Sequence, residues 1–270
     1  MQLPFFKYHG TGNDFILLDN REAGIRLSRE QVAALCHRRF GIGADGLMLL
    51  ETVSGADFRM VYYNSDGGES SMCGNGGRCI VAFAKRLALF DDEARFIAVD
   101  GPHEASIEAD GNVCLQMKDV SGVQRFEDHA VLDTGSPHYV QWVDDVQGTK
   151  VFDEGRIIRN QDAFAPGGIN VNFVQRAEGN VLHVRTYERG VEDETMSCGT
   201  GVTAAAIAAS GSGLGHFEYS IQTPGGELKV AFNKPSADTA VGVTLTGPAT
   251  FVYHGEVDVK RETRDGRRET

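Results

Sequence analysis

Tyr63-Asn64-Ser65-Asp66-Gly67-Gly68-Glu69-Ser70-Ser71-Met72-Cys73-Gly74-Asn75-Gly76 and Tyr187-Glu188-Arg189-Gly190-Val191-Glu192-Asp193-Glu194-Thr195-Met196-Ser197-Cys198-Gly199-Thr200-Gly201 are two versions of one stretch. Each carries a cysteine followed by Gly-x-Gly and then by an apolar, helix-like run. Two copies of one thiol-bearing element point to a site built between two halves, with one sulfur from each. That arrangement suits a reaction needing a base on one face of an atom and an acid on the other.

The repeat extends beyond the cysteines. The separation is 125 residues at the thiols (198 − 73). It is 123 at Thr11-Gly12-Asn13-Asp14-Phe15 against Thr134-Gly135-Ser136-Pro137-His138 (134 − 11). It is 124 at Ile97-Ala98-Val99-Asp100-Gly101 against Ile221-Gln222-Thr223-Pro224-Gly225 (221 − 97). The period far exceeds the roughly 20–50 residues of solenoid repeats, so the chain reads as two homologous domains. Its 270 residues agree, at roughly 150 residues per domain.

Composition bounds the function. An apolar fraction of 41% and a charged fraction of 24% are those of a globular protein. A net charge of −12 argues against a nucleic-acid or acidic-membrane partner. No apolar run approaches the roughly 18 residues of a membrane span. The start, Met1-Gln2-Leu3-Pro4-Phe5-Phe6-Lys7, lacks the regions of a signal peptide. The odd count of five cysteines predicts reduced thiols in a cytosol-like compartment.

Along the chain, Phe5–Leu18 contains strand-like runs interrupted by His9-Gly10-Thr11-Gly12-Asn13. Ser28 caps a helix expected to run to about Arg39. Leu47–Glu51 and Phe58–Tyr63 read as strands. Gly77–Phe90 is apolar nearly all round and predicts a buried helix. Val99–Met117 reads as strands with turns at Gly101 and Asp110-Gly111. In the second half, His138–Val143 is a strand, and a helix-poor stretch leads to Ile169–Gln175. Val181–Tyr187 alternates like a strand. Val202–Ala209, rich in alanine, predicts a second buried helix. Ile221–Phe232 and Val241–Val252 read as strands. Lys260–Thr270 reads as a polar, solvated tail.

A Cys-Gly-x-Gly step at a helix start supplies chemistry. Glycines leave the backbone amides unobstructed, the first amides have no intrahelical partner, and the dipole end is positive. Such a terminus binds carboxylate and is expected to lower a thiol from its usual pKa of about 8.5. Two such termini facing one cleft would hold a carboxylate between them and place a sulfur on each side of its α-carbon. That is the geometry of racemisation or epimerisation.

The alternatives fit less well. Cys36, Cys79 and Cys114 read as inert small hydrophobes. Zinc is disfavoured, because no CxxC pair occurs and the histidines lack metal-ligand spacing near the thiols. A cysteine hydrolase needs one nucleophile and a base, which leaves the second copy unexplained. Gly41-Ile42-Gly43-Ala44-Asp45-Gly46 matches GxGxxG, but a helix-like segment precedes it and a strand-like one follows. That is the reverse of a dinucleotide fingerprint.

At these residues the chain resembles the diaminopimelate epimerase family. The motifs are His9-Gly10-Thr11-Gly12-Asn13-Asp14-Phe15, Gly41–Gly46, Tyr63–Gly67, Met72-Cys73-Gly74-Asn75-Gly76, Pro137-His138, Tyr187-Glu188-Arg189-Gly190 and Ser197-Cys198-Gly199-Thr200-Gly201. They span almost the whole chain. The resemblance implies an α/β (α+β) fold of two pseudo-symmetric domains, each a mixed β-sheet wrapped around a central buried helix. One domain would comprise residues 1–120 plus 249–260 and carry Cys73. The other would comprise 121–248 and carry Cys198, with 261–270 as the tail.

The resemblance further implies cofactor-independent epimerisation of LL-2,6-diaminopimelate to its meso isomer in lysine and peptidoglycan-precursor biosynthesis. The protein would be a cytoplasmic homodimer using no metal. Cys73 and Cys198 would be the acid–base pair. Glu188 would contact the substrate amine and tune Cys198, and His138 would lie near the other thiol, Cys73. Gly74, Asn75, Gly199 and Thr200 would hold the reacting carboxylate. Asn13 would contact the reacting end, and Asn64, Asn170 and Arg189 would hold the distal end, with Asn172 as a substitute for Asn170. The family commonly has Asn before Pro-His; here Ser136 stands there as a weaker contact. Val191-Glu192-Asp193-Glu194 reads as one residue longer than in many relatives. A proline-racemase-like isomerase with the same two thiols and a catalytically silent binding protein are the competing readings. Asn75 and Arg189 argue against the first, and retention of both cysteines against the second.

Overall fold

The computed structural model describes residues 1–259, and the expected tail at 261–270 lies outside them. The first half runs β1 (Gln2–Gly10), β2 (Asn13–Asp19), α1 (Arg29–Cys36), β3 (Gly46–Glu51), β4 (Phe58–Asn64), β5 (Glu69–Ser70), α2 (Gly74–Arg86), β6 (Glu93–Ala98), β7 (Gly101–Ile107) and β8 (Val113–Gln116). Short β9 (Val120–Ser121) and β10 (Gln124–Arg125) follow. The second half runs β11 (His129–Asp133), β12 (Pro137–Trp142), α3 (Val151–Arg159), β13 (Asn170–Arg176), β14 (Val181–Glu188), β15 (Asp193–Thr195), α4 (Gly199–Ala209), β16 (Gly215–Thr223), β17 (Gly226–Ser236) and β18 (Thr239–Gly247), and β19 (Thr250–Asp258) closes the described chain.

The two halves pair their strands alike. The order β1–β2–β3–β4–β6–β7–β8 is matched by β11–β12–β13–β14–β16–β17–β18. β2–β3 and β4–β6 are parallel, as are β12–β13 and β14–β16, and the other neighbours are antiparallel. The repeat holds at the level of register. Leu47 faces Tyr63 as Val171 faces Tyr187. Tyr63 faces Glu69 as Tyr187 faces Glu194. Phe58 faces Phe96 as Leu182 faces Ile221. The offset grows by one between Asn64/Glu188 and Glu69/Glu194, so the extra residue lies in the loop that holds Val191. β8 pairs with β18 and joins the halves, and β19 pairs along β1 from Gln2↔Asp258.

Burial explains the apolar runs. In β2, Phe15 and Leu17 pack towards α2, while Ile16 and Leu18 pack against α1. Successive strand side chains point to opposite faces, so a sheet covered on both sides reads as unbroken hydrophobics. α2 and α4 sit inside, with Cys79–Val81, Phe83 and Ala84 buried in one and Val202–Ala209 in the other. The alanines of α4 let its backbone approach the sheet closely on all sides.

Four expectations are corrected. α1 ends at Cys36 rather than near Arg39, because His37 turns extended (φ −66°, ψ 119°) and its ring accepts the amides of Arg39 and Phe40. The stretch expected to be helix-poor contains α3, whose Val151, Gly155 and Ile158 face the sheet. Lys150 supplies no side-chain cap there, so the usual start signal is missing. Ile221–Phe232 and Val241–Val252 are each split, at Pro224-Gly225 and at Pro248-Ala249. α2 and α4 begin at Gly74 and Gly199, three residues before the expected starts, with glycines forming the first turn despite their low helix propensity. No helix among the described residues is long and apolar enough to cross a membrane.

Candidate active site

Each cysteine is the N-cap of its helix. Cys73 is extended (φ −112°, ψ 152°), and its Sγ accepts the Gly76 amide at 3.2 Å. Cys198 is extended (φ −119°, ψ 111°), with Sγ 3.5 Å from Thr200 Oγ1. The two helix starts touch. A Cβ on Gly74 would stand 3.3 Å from Gly199 Cα and 2.8 Å from Leu245 Cδ2. A Cβ on Gly199 would stand 3.1 Å from Gly74 Cα. Only glycine lets the termini come this close, and their first amides have no carbonyl of their own helix to bond.

The thiols are not acidified as expected. Burial pushes Cys73 up to about 11 and Cys198 up to about 12. The Glu188 carboxylate raises both further, and the Gly76 amide at Cys73 and the Thr200 hydroxyl at Cys198 offset only part of the rise. Lost hydration of a thiolate outweighs a helix end carrying roughly half a charge. Glu188 accepts from Thr195 Oγ1 at 2.9 Å. Its own carboxyl is raised by burial and by Asp45 nearby.

The expected binding residues fall into two groups. Asn13 Nδ2 donates to Asp45 Oδ2 (2.7 Å), and Asn13 Oδ1 accepts from Asn75 Nδ2 (3.3 Å). Asn75 Nδ2 also donates to the carbonyl of Ser197 at 3.0 Å, tying α2 to the residue before Cys198. In the second group, Ser136 Oγ accepts from Asn170 Nδ2 (2.9 Å) and Arg189 Nη2 (3.3 Å), and Asn170 Oδ1 accepts the Arg189 amide (2.9 Å). Ser136 therefore bridges two of the three residues expected at the distal end, Asn170 and Arg189, and keeps its own hydroxyl proton to donate. Asn64 is exposed at the end of β4, opposite Gly46.

His138 is fully buried, and its Nδ1 lies 3.1 Å from Asn172 Nδ2. The amide donates, so Nδ1 accepts and Nε2 carries the proton, with no partner among the described residues. Burial, helped by Arg189, lowers His138 to about 3, so the ring is neutral at ordinary pH. Asn172 donates also to the Tyr139 carbonyl and accepts from Thr186 Oγ1, which commits all its groups. It is a support for His138, packed against Gly201 of α4, where a Cβ would stand 2.3 Å from Asn172 Oδ1. Thr11, Ser197, Asp45, Thr195 and Arg78 belong to this site too, and the sequence reading passed over them. A lone arginine inside the apolar run of α2 was a usable signal.

A family model described as diaminopimelate epimerase matches residues 5–123 and 130–252. The chain belongs to the diaminopimelate epimerase family. A diaminopimelate epimerase of Flavobacterium psychrophilum is 48% identical over 253 residues, spanning 93% of this chain and 98% of that protein. One of Chlorobaculum tepidum is 44% identical over 260 residues, spanning 92% and 98%. As a member of the diaminopimelate epimerase family the chain is an enzyme, an isomerase. Solved structures share its fold at low identity. A Bacillus anthracis phenazine biosynthesis protein of the PhzF family has a TM-score of 0.73 at 15% identity, covering 96% of this chain and 100% of its own. A hydroxyproline epimerase from Agrobacterium vitis has a TM-score of 0.69 at 15% identity, covering 95% and 92%.

Proposed function

We propose that the protein converts LL-2,6-diaminopimelate to meso-diaminopimelate without cofactor, one thiol taking the α-proton and the other returning a proton to the opposite face. The observation that carries this reading is the meeting of the two cysteine-capped helix starts at Gly74 and Gly199, with Glu188 beside both thiols. The α-carboxylate sits on the amides of Gly74, Asn75, Gly199 and Thr200, where two dipole ends stabilise it and the developing negative charge. Glu188 binds the α-ammonium. That pairing neutralises the carboxylate that holds the thiols up, so substrate arrival itself eases formation of a thiolate.

Asn13 steadies the reacting end. Asn64, Asn170, Arg189 and Ser136 hold the distal amino-acid group. Neutral His138 offers its Nε2 proton as a hydrogen bond. Proton transfer needs a dry, closed cleft, and residues 1–120 with 249–260 and residues 121–248 act as the two domains that close it. The enzyme works in the cytoplasm as a homodimer, supplying meso-diaminopimelate to lysine and peptidoglycan-precursor synthesis.

Purified, reduced protein given LL-diaminopimelate and no cofactor is expected to yield the meso isomer by chiral chromatography. Unchanged LL isomer, with the protein folded and reduced, would refute the assignment.

A further inference from the structure

Arg78 lies in the first turns of α2, beneath Cys73, Gly74 and Asn75, and its exposure is 0%. A buried guanidinium is costly unless an anion accompanies it. Among the described residues Arg78 has no ion-pair partner, and its hydrogen bonds go to neutral oxygens. They are the carbonyl of Gly74 (3.1 Å), Asn75 Oδ1 (3.0 Å), Thr11 Oγ1 (3.3 Å) and the carbonyl of Pro248 (3.4 Å). The space for it is made by glycines. A Cβ on Gly10 would stand 3.2 Å from Nη2, and one on Gly247 would stand 3.4 Å from Nε.

The repeat shows what this arginine adds. Its counterpart in α4 is Thr203, whose Oγ1 donates to the carbonyl of Gly199 at 2.9 Å, as Arg78 donates to that of Gly74. The two helices thus repeat the same tie with a charge in one and a hydroxyl in the other. The ionisable groups that bear on Cys73 are Glu188, Arg78, Cys198, Cys79 and Tyr62. Those on Cys198 are Glu188 and Cys73. Asp45 acts on Glu188 and Tyr62, and Arg189 acts on His138. Glu188 opposes ionisation of both thiols, whereas Arg78 favours that of Cys73.

We propose that Arg78 is a positioning residue that supplies the missing cation of the site, so that Cys73 ionises ahead of Cys198, while its fork locks Asn75 and Thr11 to the Cys198 side. This rests on the two-thiol reading. Once substrate has paired with Glu188, Cys73 gives its proton to solvent and becomes the base, while Cys198 keeps its proton as the acid. In turnover the α-proton goes to Cys73, the proton of Cys198 goes to the α-carbon, and the thiolate ends on Cys198. The buried guanidinium loses its anion at that moment, which favours return of the proton from Cys73 to solvent and of a proton from solvent to Cys198.

The test is iodoacetamide labelling of the substrate-free enzyme between pH 7 and 9, with Cys73 and Cys198 peptides quantified separately by mass. It needs no turnover, so it stands apart from the substrate assay. The Cys73-to-Cys198 labelling ratio is expected to fall about tenfold in Arg78→Met and to recover largely in Arg78→Lys, because labelling rate follows the thiolate fraction. A purely structural role would lower thermal stability and leave that ratio alone. An unchanged ratio in folded Arg78→Met overturns the proposal. So does labelling of Cys198 ahead of Cys73 throughout this pH range in the unaltered enzyme, whether or not a variant folds.

Discussion

A thiol buried beside a carboxylate keeps its proton, and both Cys73 and Cys198 are buried beside Glu188. The charge of the ligand, in the proposed mechanism, is what releases them. Cys73→Ala and Cys198→Ala are each expected to lower kcat/KM by about 10²–10⁴-fold, the usual contribution of a general acid or base. Each sulfur serves one face, so losses below about tenfold in either variant would contradict the pairing. The raised thiols also set a stability trend. A group raised on folding stabilises fully below its unfolded pKa of about 8.5 and loses that contribution as pH climbs towards the folded value. Thermal stability is expected to fall between pH 9 and 11, and less steeply in Cys73→Ala, since Cys73 is raised to about 11. Identical slopes by circular dichroism would count against the buried-thiol description. At this scale the cysteines were legible because each recurs in a Gly-rich context. The roles of Asn172 and Arg78 were not, because they depend on which strands and turns come to rest beside α2 and α4.

The helix starts are the elements that carry the geometry, and Gly74 and Gly199 set their spacing. Gly199→Ala adds a Cβ 3.0 Å from Leu245 Cδ2 and 3.1 Å from Gly74 Cα, so backbone must give as well as the leucine. A displacement of a few tenths of an ångström to 1 Å is expected to cost up to about 10²-fold in kcat. The melting temperature should change far less, and activity equal to the parent's would show that close approach of the termini is not required. The buried helices were visible in advance from their unbroken apolar and alanine character. Their first turns were not, since glycine propensity argues against helix, and tertiary contact between the termini overrides it. α3 escaped for a related reason. It lacks a cap and buries only a narrow stripe, and its counterpart α1 was the clue available.

Across the whole molecule, one pattern of strand pairing occurs twice, with the β8–β18 pairing as the seam and β19 laid along β1. The duplication was legible because offsets of 123 to 125 residues recur at several motifs. The direct tie between the halves, from Asn75 to Ser197, was not, because a hydrogen bond across 122 positions leaves no periodic trace. The proposed site reads both ends of its substrate, and a substrate without the distal carboxylate would leave the Ser136 hydroxyl proton and the Arg189 guanidinium without that acceptor, at a cost of roughly 1–3 kcal/mol per buried polar group. Lysine is therefore expected to bind weakly and not to racemise, and turnover of lysine comparable to that of diaminopimelate would remove the distal-end assignment.

The central claim is that two thiols, one on each face, exchange the α-hydrogen. Turnover of LL-diaminopimelate in D₂O tests it most directly, read by mass and chirality at the earliest measurable conversion. The account predicts that every inverted α-carbon carries deuterium, while unreacted LL substrate gains little. Inverted product that retains its original α-hydrogen would contradict it.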